Sequence, residues 1–169
     1  MKKKVKLFTT IASLCLAVAL MAFGVYAALQ TNLTVSGSIK FTATGVDGYF
    51  KSVTVAKVAD CKVTNGTATG TKDAHMEDLT GVEVEVDTGK NSCSFTITVV
   101  FENVGSTNAI KVTPTVGANG NGITYTNAEV ATVAAGTEGT LVITIAYEAV
   151  DQAQDANPTW NVSFVAAQA

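Results

Sequence analysis

Arginine is missing altogether from these 169 residues, and histidine and tryptophan occur once each. Without arginine the chain lacks the side chain best suited to bidentate recognition of phosphates and bases. Residues 28–169 carry seven lysines against fourteen carboxylates, a net charge of −7. An acidic domain of this kind excludes a nucleic-acid partner. The single histidine, His75, limits acid–base and metal chemistry just as sharply. It stands in Lys72-Asp73-Ala74-His75-Met76-Glu77-Asp78, a charged stretch that reads as a solvated loop. No H-E-x-x-H helix pattern supplies a zinc site, and no G-x-S-x-G elbow accompanies a serine nucleophile. The expectation is therefore no catalytic residue, no cofactor and no metal ligand.

Cysteine is also scarce, and its placement divides the chain. Cys15 lies in an apolar run from Leu7 to Ala22, directly behind Lys2, Lys3, Lys4 and Lys6. A positive segment followed by an apolar core is the pattern of a secretory signal. Val25 and Ala27 then occupy the −3 and −1 positions of a cut before Ala28, so residues 1–27 read as a signal peptide and 28–169 as one exported domain. The alternative is an uncleaved anchor, because Leu7 to Leu29 is just long enough to span about 30 Å of hydrocarbon. Membrane contact is expected only through that segment. Leu14 stands where a lipoprotein signal needs a small residue, which argues against lipidation at Cys15. Beyond residue 27 only Cys61 and Cys93 remain, an even pair compatible with one disulfide in an oxidising compartment or with two buried thiols.

Long helical periodicity is absent after the apolar run, and period two takes its place. From Leu29 to Ala43 the odd positions are Leu, Thr, Leu, Val, Gly, Ile, Phe and Ala, and the even ones are polar. Such alternation describes extended chain with one buried face. At about 3.3 Å per residue it reaches roughly 50 Å, far beyond a typical strand, so Gly37 marks a break, a bulge or a change of partner. Cys93, Phe95, Ile97, Val99 and Phe101 form a second inward row, with Ser92, Ser94, Thr96 and Thr98 facing outward. Val82, Val84 and Val86 alternate with Glu83, Glu85 and Asp87. Further rows run through Ile110–Val116, Leu141–Tyr147 and Trp160–Phe164. Gly- and Asn-rich turns separate them, as at Asn65-Gly66, Asn103-Val104-Gly105-Ser106 and Gly117–Gly122. Eight or nine short strands in this arrangement predict an all-β antiparallel β-sandwich, jelly-roll-like in plan.

The acidic residues invite two further readings. Glu83, Glu85 and Asp87 share a strand face, but that spacing is what any wet face of an alternating strand produces, and it does not specify a glycosidase pair. Asp151, Asp155 and Asn157 lie in a polar connection that offers oxygen ligands without matching a calcium-loop pattern.

Four segments together resemble the TasA and camelysin family of exported bacterial β-sandwich proteins of biofilm matrix and cell surfaces. They are Gly24-Val25-Tyr26-Ala27-Ala28, the opening Leu33–Ala43, the strand and turn Val99–Ala109, and the terminal Trp160–Gln168. The resemblance implies a secreted or surface-attached structural protein that associates with itself or with another surface or matrix protein. It further implies fibres joined when an N-terminal strand of one subunit completes the sheet of the next. Residues 28–36 are the expected donor or edge strand, with Leu33 and Val35 as its anchors. No set of metal ligands here matches a metallopeptidase, and Cys61 and Cys93 do not map onto a family hallmark. Two other classes stay open: a binding or adhesion module for a surface glycan or protein, with Tyr49, Phe50 and Tyr125 as aromatic candidates, and, more remotely, a secreted hydrolase.

Overall fold

The computed structural model describes residues 33–72, 76–87, 90–126, 129–149 and 158–169. Over these the chain forms eleven strands: β1 (Thr34–Ala43), β2 (Gly48–Ala59), β3 (Cys61–Thr64), β4 (Thr67–Thr69), β5 (Leu79–Val86), β6 (Ser92–Asn103), β7 (Ile110–Val116), β8 (Ile123–Thr126), β9 (Ala131–Val133), β10 (Glu138–Glu148) and β11 (Thr159–Gln168). Every odd-numbered strand belongs to a six-stranded sheet, in the order β3-β5-β1-β11-β7-β9. Every even-numbered strand belongs to a five-stranded sheet, in the order β4-β2-β6-β10-β8. Each step along the chain therefore crosses from one sheet to the other, which makes the fold a jelly-roll-like β-sandwich.

The strands outnumber the eight or nine expected, for two physical reasons. A single extended run is cut at Asp60, whose φ of 54° turns β2 out of one sheet and β3 into the other. β4 and β9 have three residues each, too short to show an alternating pattern. The pairing is antiparallel throughout except where β1 lies parallel to β11, in unbroken register from Ser36↔Thr159 to Ala43↔Ala166. The first and last strands of the described chain thus lie side by side at the middle of the six-stranded sheet.

The inward rows predicted from the alternation fill the space between the sheets. Phe95, Ile97, Val99 and Phe101 of β6 face Trp160, Val162 and Phe164 of β11, all essentially sealed from solvent. Phe50 packs edge-on against Phe101 at 5.1 Å and tilted against Phe41 at 4.9 Å, and Phe41 stacks on Phe164 at 5.9 Å. Each such side chain contributes about 1.5–3 kcal/mol on full burial. Gly37 is where the longest alternation is interrupted, and the cause lies across the parallel pair. A Cβ on Gly37 would fall within the indole of Trp160. Only glycine lets that ring lie flat over β1, and β1 bulges against β5 between Gly37 and Ile39 to accommodate it.

The sheets end on short strands, as exposed edges usually do. Beyond the reach of β9, which covers only Ile110 to Val112, β7 is guarded by proline. Gly117 N–H donates to Asn161 O at 2.9 Å, so by alternation the amide positions of 115 and 113 also face β11 and that of 114 faces outward. Pro114 has no N–H to offer a foreign strand there.

Candidate functional site

Cys61 begins β3 in the six-stranded sheet and Cys93 lies near the start of β6 in the five-stranded one. The two are joined as a disulfide, with Cα atoms 5.3 Å apart. The bridge is thus a staple between the sheets. It closes a loop of 32 residues. In the chain-entropy account a loop of that length contributes about 3–4 kcal/mol.

The remaining polar candidates do not converge. His75 and Asp73 lie outside the described residues, as do Asp151, Asp155 and Asn157, and Ala27 and Ala28 of the expected cleavage site. Glu77 is exposed, whereas Asp78 Oδ1 accepts a hydrogen bond from Phe41 N at 3.0 Å and so serves the backbone of β1 beside its bulge. Glu83 and Glu85 point outward from β5, and Glu85 meets Lys62 of β3 at 3.7 Å. Among the described residues no three His, Cys, Asp or Glu side chains come together as a metal site.

Leu33 and Val35 sit differently from a strand awaiting a foreign sheet. Val35 is fully buried, opposite Val84 of β5, and Leu33 packs against the same core. Leu33 O accepts from Val86 N at 3.0 Å, and Ser36 N donates to Pro158 O at 3.2 Å. Residues 33–36 are therefore satisfied in their own domain, between β5 and β11, rather than left open at an edge. The physical reason is Gly37: the bulge absorbs the irregularity, and the alternation continues in one sheet instead of leaving it. Residues 28–32 lie outside the described residues.

Two of the aromatic candidates, Phe50 and Tyr125, are turned inward, whereas Tyr49 lies on the outer face of β2 opposite Glu102. Phe50 belongs to the core, and Tyr49 is nearly buried, its hydroxyl donating to Glu102 Oε2 at 2.8 Å. Lys51 Nζ meets Glu102 Oε2 at 3.1 Å and also binds Glu138 Oε1. This latch ties the ends of β2, β6 and β10. Hydrogen bonds from Tyr49 and then Lys51 hold the Glu102 carboxyl below its usual range, and the bond to Glu102 raises the Tyr49 phenol. Tyr125 accepts from Asn161 N at 3.4 Å, bridging β8 to the other sheet, and burial raises its phenol. No flat aromatic platform for a sugar is presented by these three rings.

One buried polar side chain was hidden in a turn signal. Asn103, the first residue of Asn103-Val104-Gly105-Ser106, donates to Asn108 O at 2.9 Å and to Val133 O at 3.0 Å, and its Oδ1 accepts from Gly105 N at 3.0 Å. It pins the connection between β6 and β7 to β9.

What the sequence did not reveal is the outer face of the five-stranded sheet. Strand register aligns Thr126, Thr144, Thr96 and Ala56 in one rank across four strands. The next rank is Val142, Thr98, Thr54 and Thr67, and the one beyond is Thr140, Val100, Ser52 and Thr69. Ala146 is flanked by Thr124 and Ser94 on the opposite side. No side chain in these ranks is charged. The signal was present as T-x-T in Thr67-Ala68-Thr69, Thr96-Ile97-Thr98 and Thr124-Tyr125-Thr126, but only register shows that they form one plane. No protein-family model matches the chain, and no curated protein matches it.

Proposed function

We propose that the chain is an exported structural protein of a bacterial cell surface or extracellular matrix, built to associate with copies of itself. The observation that carries this reading is the Cys61–Cys93 staple between two sheets of a domain preceded by a lysine-rich, apolar segment. Disulfides persist where the surroundings are oxidising, outside the cytoplasm. Residues 1–27 act as the secretory signal, and cleavage leaves Ala28 at the new terminus.

The structural role is supported by how the polar chemistry is used. Asn103, Asp78, Tyr49 and Glu102 all hold backbone or strand ends in place. The resemblance to the TasA and camelysin family points to the same role. If subunits polymerise by strand exchange, β1 is the strand exchanged. Its seat between β5 and β11 would be filled by the β1 of a neighbour in the same register, and such a head-to-tail contact propagates rather than closes.

Electron microscopy of the protein recovered after export tests this reading. Filaments or ordered sheets are expected, and a monodisperse monomer at every concentration overturns it. Terminal sequencing of the same material should begin at Ala28, and recovery of Met1 in the membrane fraction would replace secretion with anchoring.

A further inference from the structure

We infer that the outer face of the five-stranded sheet is a lateral packing surface for a second copy of this chain, distinct from any exchange of β1. The inference rests on the self-associating reading above only in naming the occupant; the face is defined by register alone.

Charge is the first argument. Residues 28–169 carry a net −7, so two copies repel over most of their surface. The ranks of β2, β4, β6, β8 and β10 are the exception. Among the described residues of these strands, charge stands outside the ranks: the Lys51–Glu102–Glu138 latch at one end, and Glu148 with the exposed Lys57 of β2 at the other. Two copies can meet here without placing like charges together.

Chemistry is the second. A two-fold contact brings the same patch against itself, so the patch must be self-complementary. Hydroxyls meet that condition automatically, because each both donates and accepts. Thr96, Thr98, Thr144 and their neighbours present such groups beside methyls, and the intervening residues are Ala, Ser or Val. All are short, so the plane carries no protruding side chain to hold a second sheet away. Val142, at the centre, is among the few large apolar residues left exposed.

Area sets the strength. Strands about 4.8 Å apart and residues about 6.8 Å apart along each strand give a plane of about 500 Å² per copy, or about 1,000 Å² in total. That is below the range of stable complexes and inside that of transient ones. A single contact is therefore weak, and it becomes persistent where copies are already aligned, as in an array.

Sedimentation velocity of the exported protein, from about 10 μM to about 1 mM, tests the face at the affinities such an area supports. Three proteins are compared: the natural chain, Thr98→Lys with Thr144→Lys on the proposed face, and Thr113→Lys with Ser163→Lys on the outer face of the other sheet. Circular dichroism confirms that each folds. The natural chain and the control pair should self-associate, and Thr98→Lys with Thr144→Lys should weaken association at least tenfold. A natural chain that stays monomeric at the highest concentration overturns the inference, as does equal loss in both pairs. Retention on an insoluble polysaccharide that Thr98→Lys with Thr144→Lys removes, without self-association, assigns the face to a glycan and also overturns it. Filaments that form normally in that variant overturn the lateral face while leaving the structural function standing. Absence of both filaments and self-association removes the two together.

Discussion

The two sheets share one inward grammar and differ in what they show to water. On the six-stranded sheet, Lys62, Glu85, Glu83, Lys40 and Lys111 stand among hydroxyls, with both signs interspersed. On the five-stranded sheet the middle ranks hold threonine, serine, alanine and valine alone. Period-two alternation demands only that outward residues tolerate water, and both solutions satisfy it. A mixed-charge surface resists non-specific association, whereas an uncharged plane of short side chains leaves association open. Folding alone therefore does not require the difference between the faces.

If that is right, inward substitutions should cost the same on either sheet. Trp160→Ala on β11 and Phe95→Ala on β6 remove two rings that touch each other at 5.4 Å, both fully buried. Each should lose about 3–5 kcal/mol of unfolding free energy, measured by urea denaturation of the exported protein. A loss confined to one sheet would mean that the sheets do not share a single core.

The staple between the sheets ranks next. Cys93→Ala should destabilise the domain by about 3–4 kcal/mol, and reduction of the natural chain should lower the denaturation midpoint to match. Midpoints unchanged by reductant would mean that the bridge is absent in the exported protein.

These inward features were the legible part of the sequence. Phe95, Ile97 and Val99 announced their face by strict alternation, because a core demands apolar side chains at every second position. The break at Gly37 was visible, but its cause was not, since Trp160 lies 123 positions away and meets it only through the parallel pairing. Asp60 and the three-residue β4 and β9 carry no pattern of their own, so the number of strands was underestimated. The hydroxyl plane was harder still. Thr96 and Thr98 read as an ordinary wet face, and nothing local says that Thr144, Thr54 and Thr126 stand beside them. Register is a property of pairs, and a single strand does not encode it.

A smaller effect separates the outer faces directly. Lys62, largely exposed, pairs with Glu85 at 3.7 Å on the charged face. Exposed pairs of this kind are worth about 0–1 kcal/mol, so Lys62→Ala should leave the denaturation midpoint within error and leave self-association unchanged. An increase in self-association on removing that one charge would show that the six-stranded face is held apart by its charges rather than by its shape.

The smallest effect lies at the latch that bounds the uncharged plane, and its signature is pH dependence. The Glu102 carboxyl is held below its usual range first by the Tyr49 hydroxyl and then by Lys51. A group whose folded pKa is depressed stabilises the fold above its unfolded pKa, about 4.3 for glutamate, and that contribution is lost as pH falls through the lower folded value. Glu102→Gln keeps the shape and removes the titration. The natural chain should therefore melt slightly above the variant at pH 6 to 7, with a gap that narrows as the pH drops below about 4 and closes in strong acid. Lys51, whose ammonium is held charged by Glu138 and Glu102, stays protonated throughout that window, so its own titration does not enter. Thermal melts of both proteins from about pH 2 to pH 7 separate the possibilities. A gap that stays constant across the range would mean that Glu102 acts only as a packing group, and that the charged boundary of the five-stranded face does not depend on its ionisation.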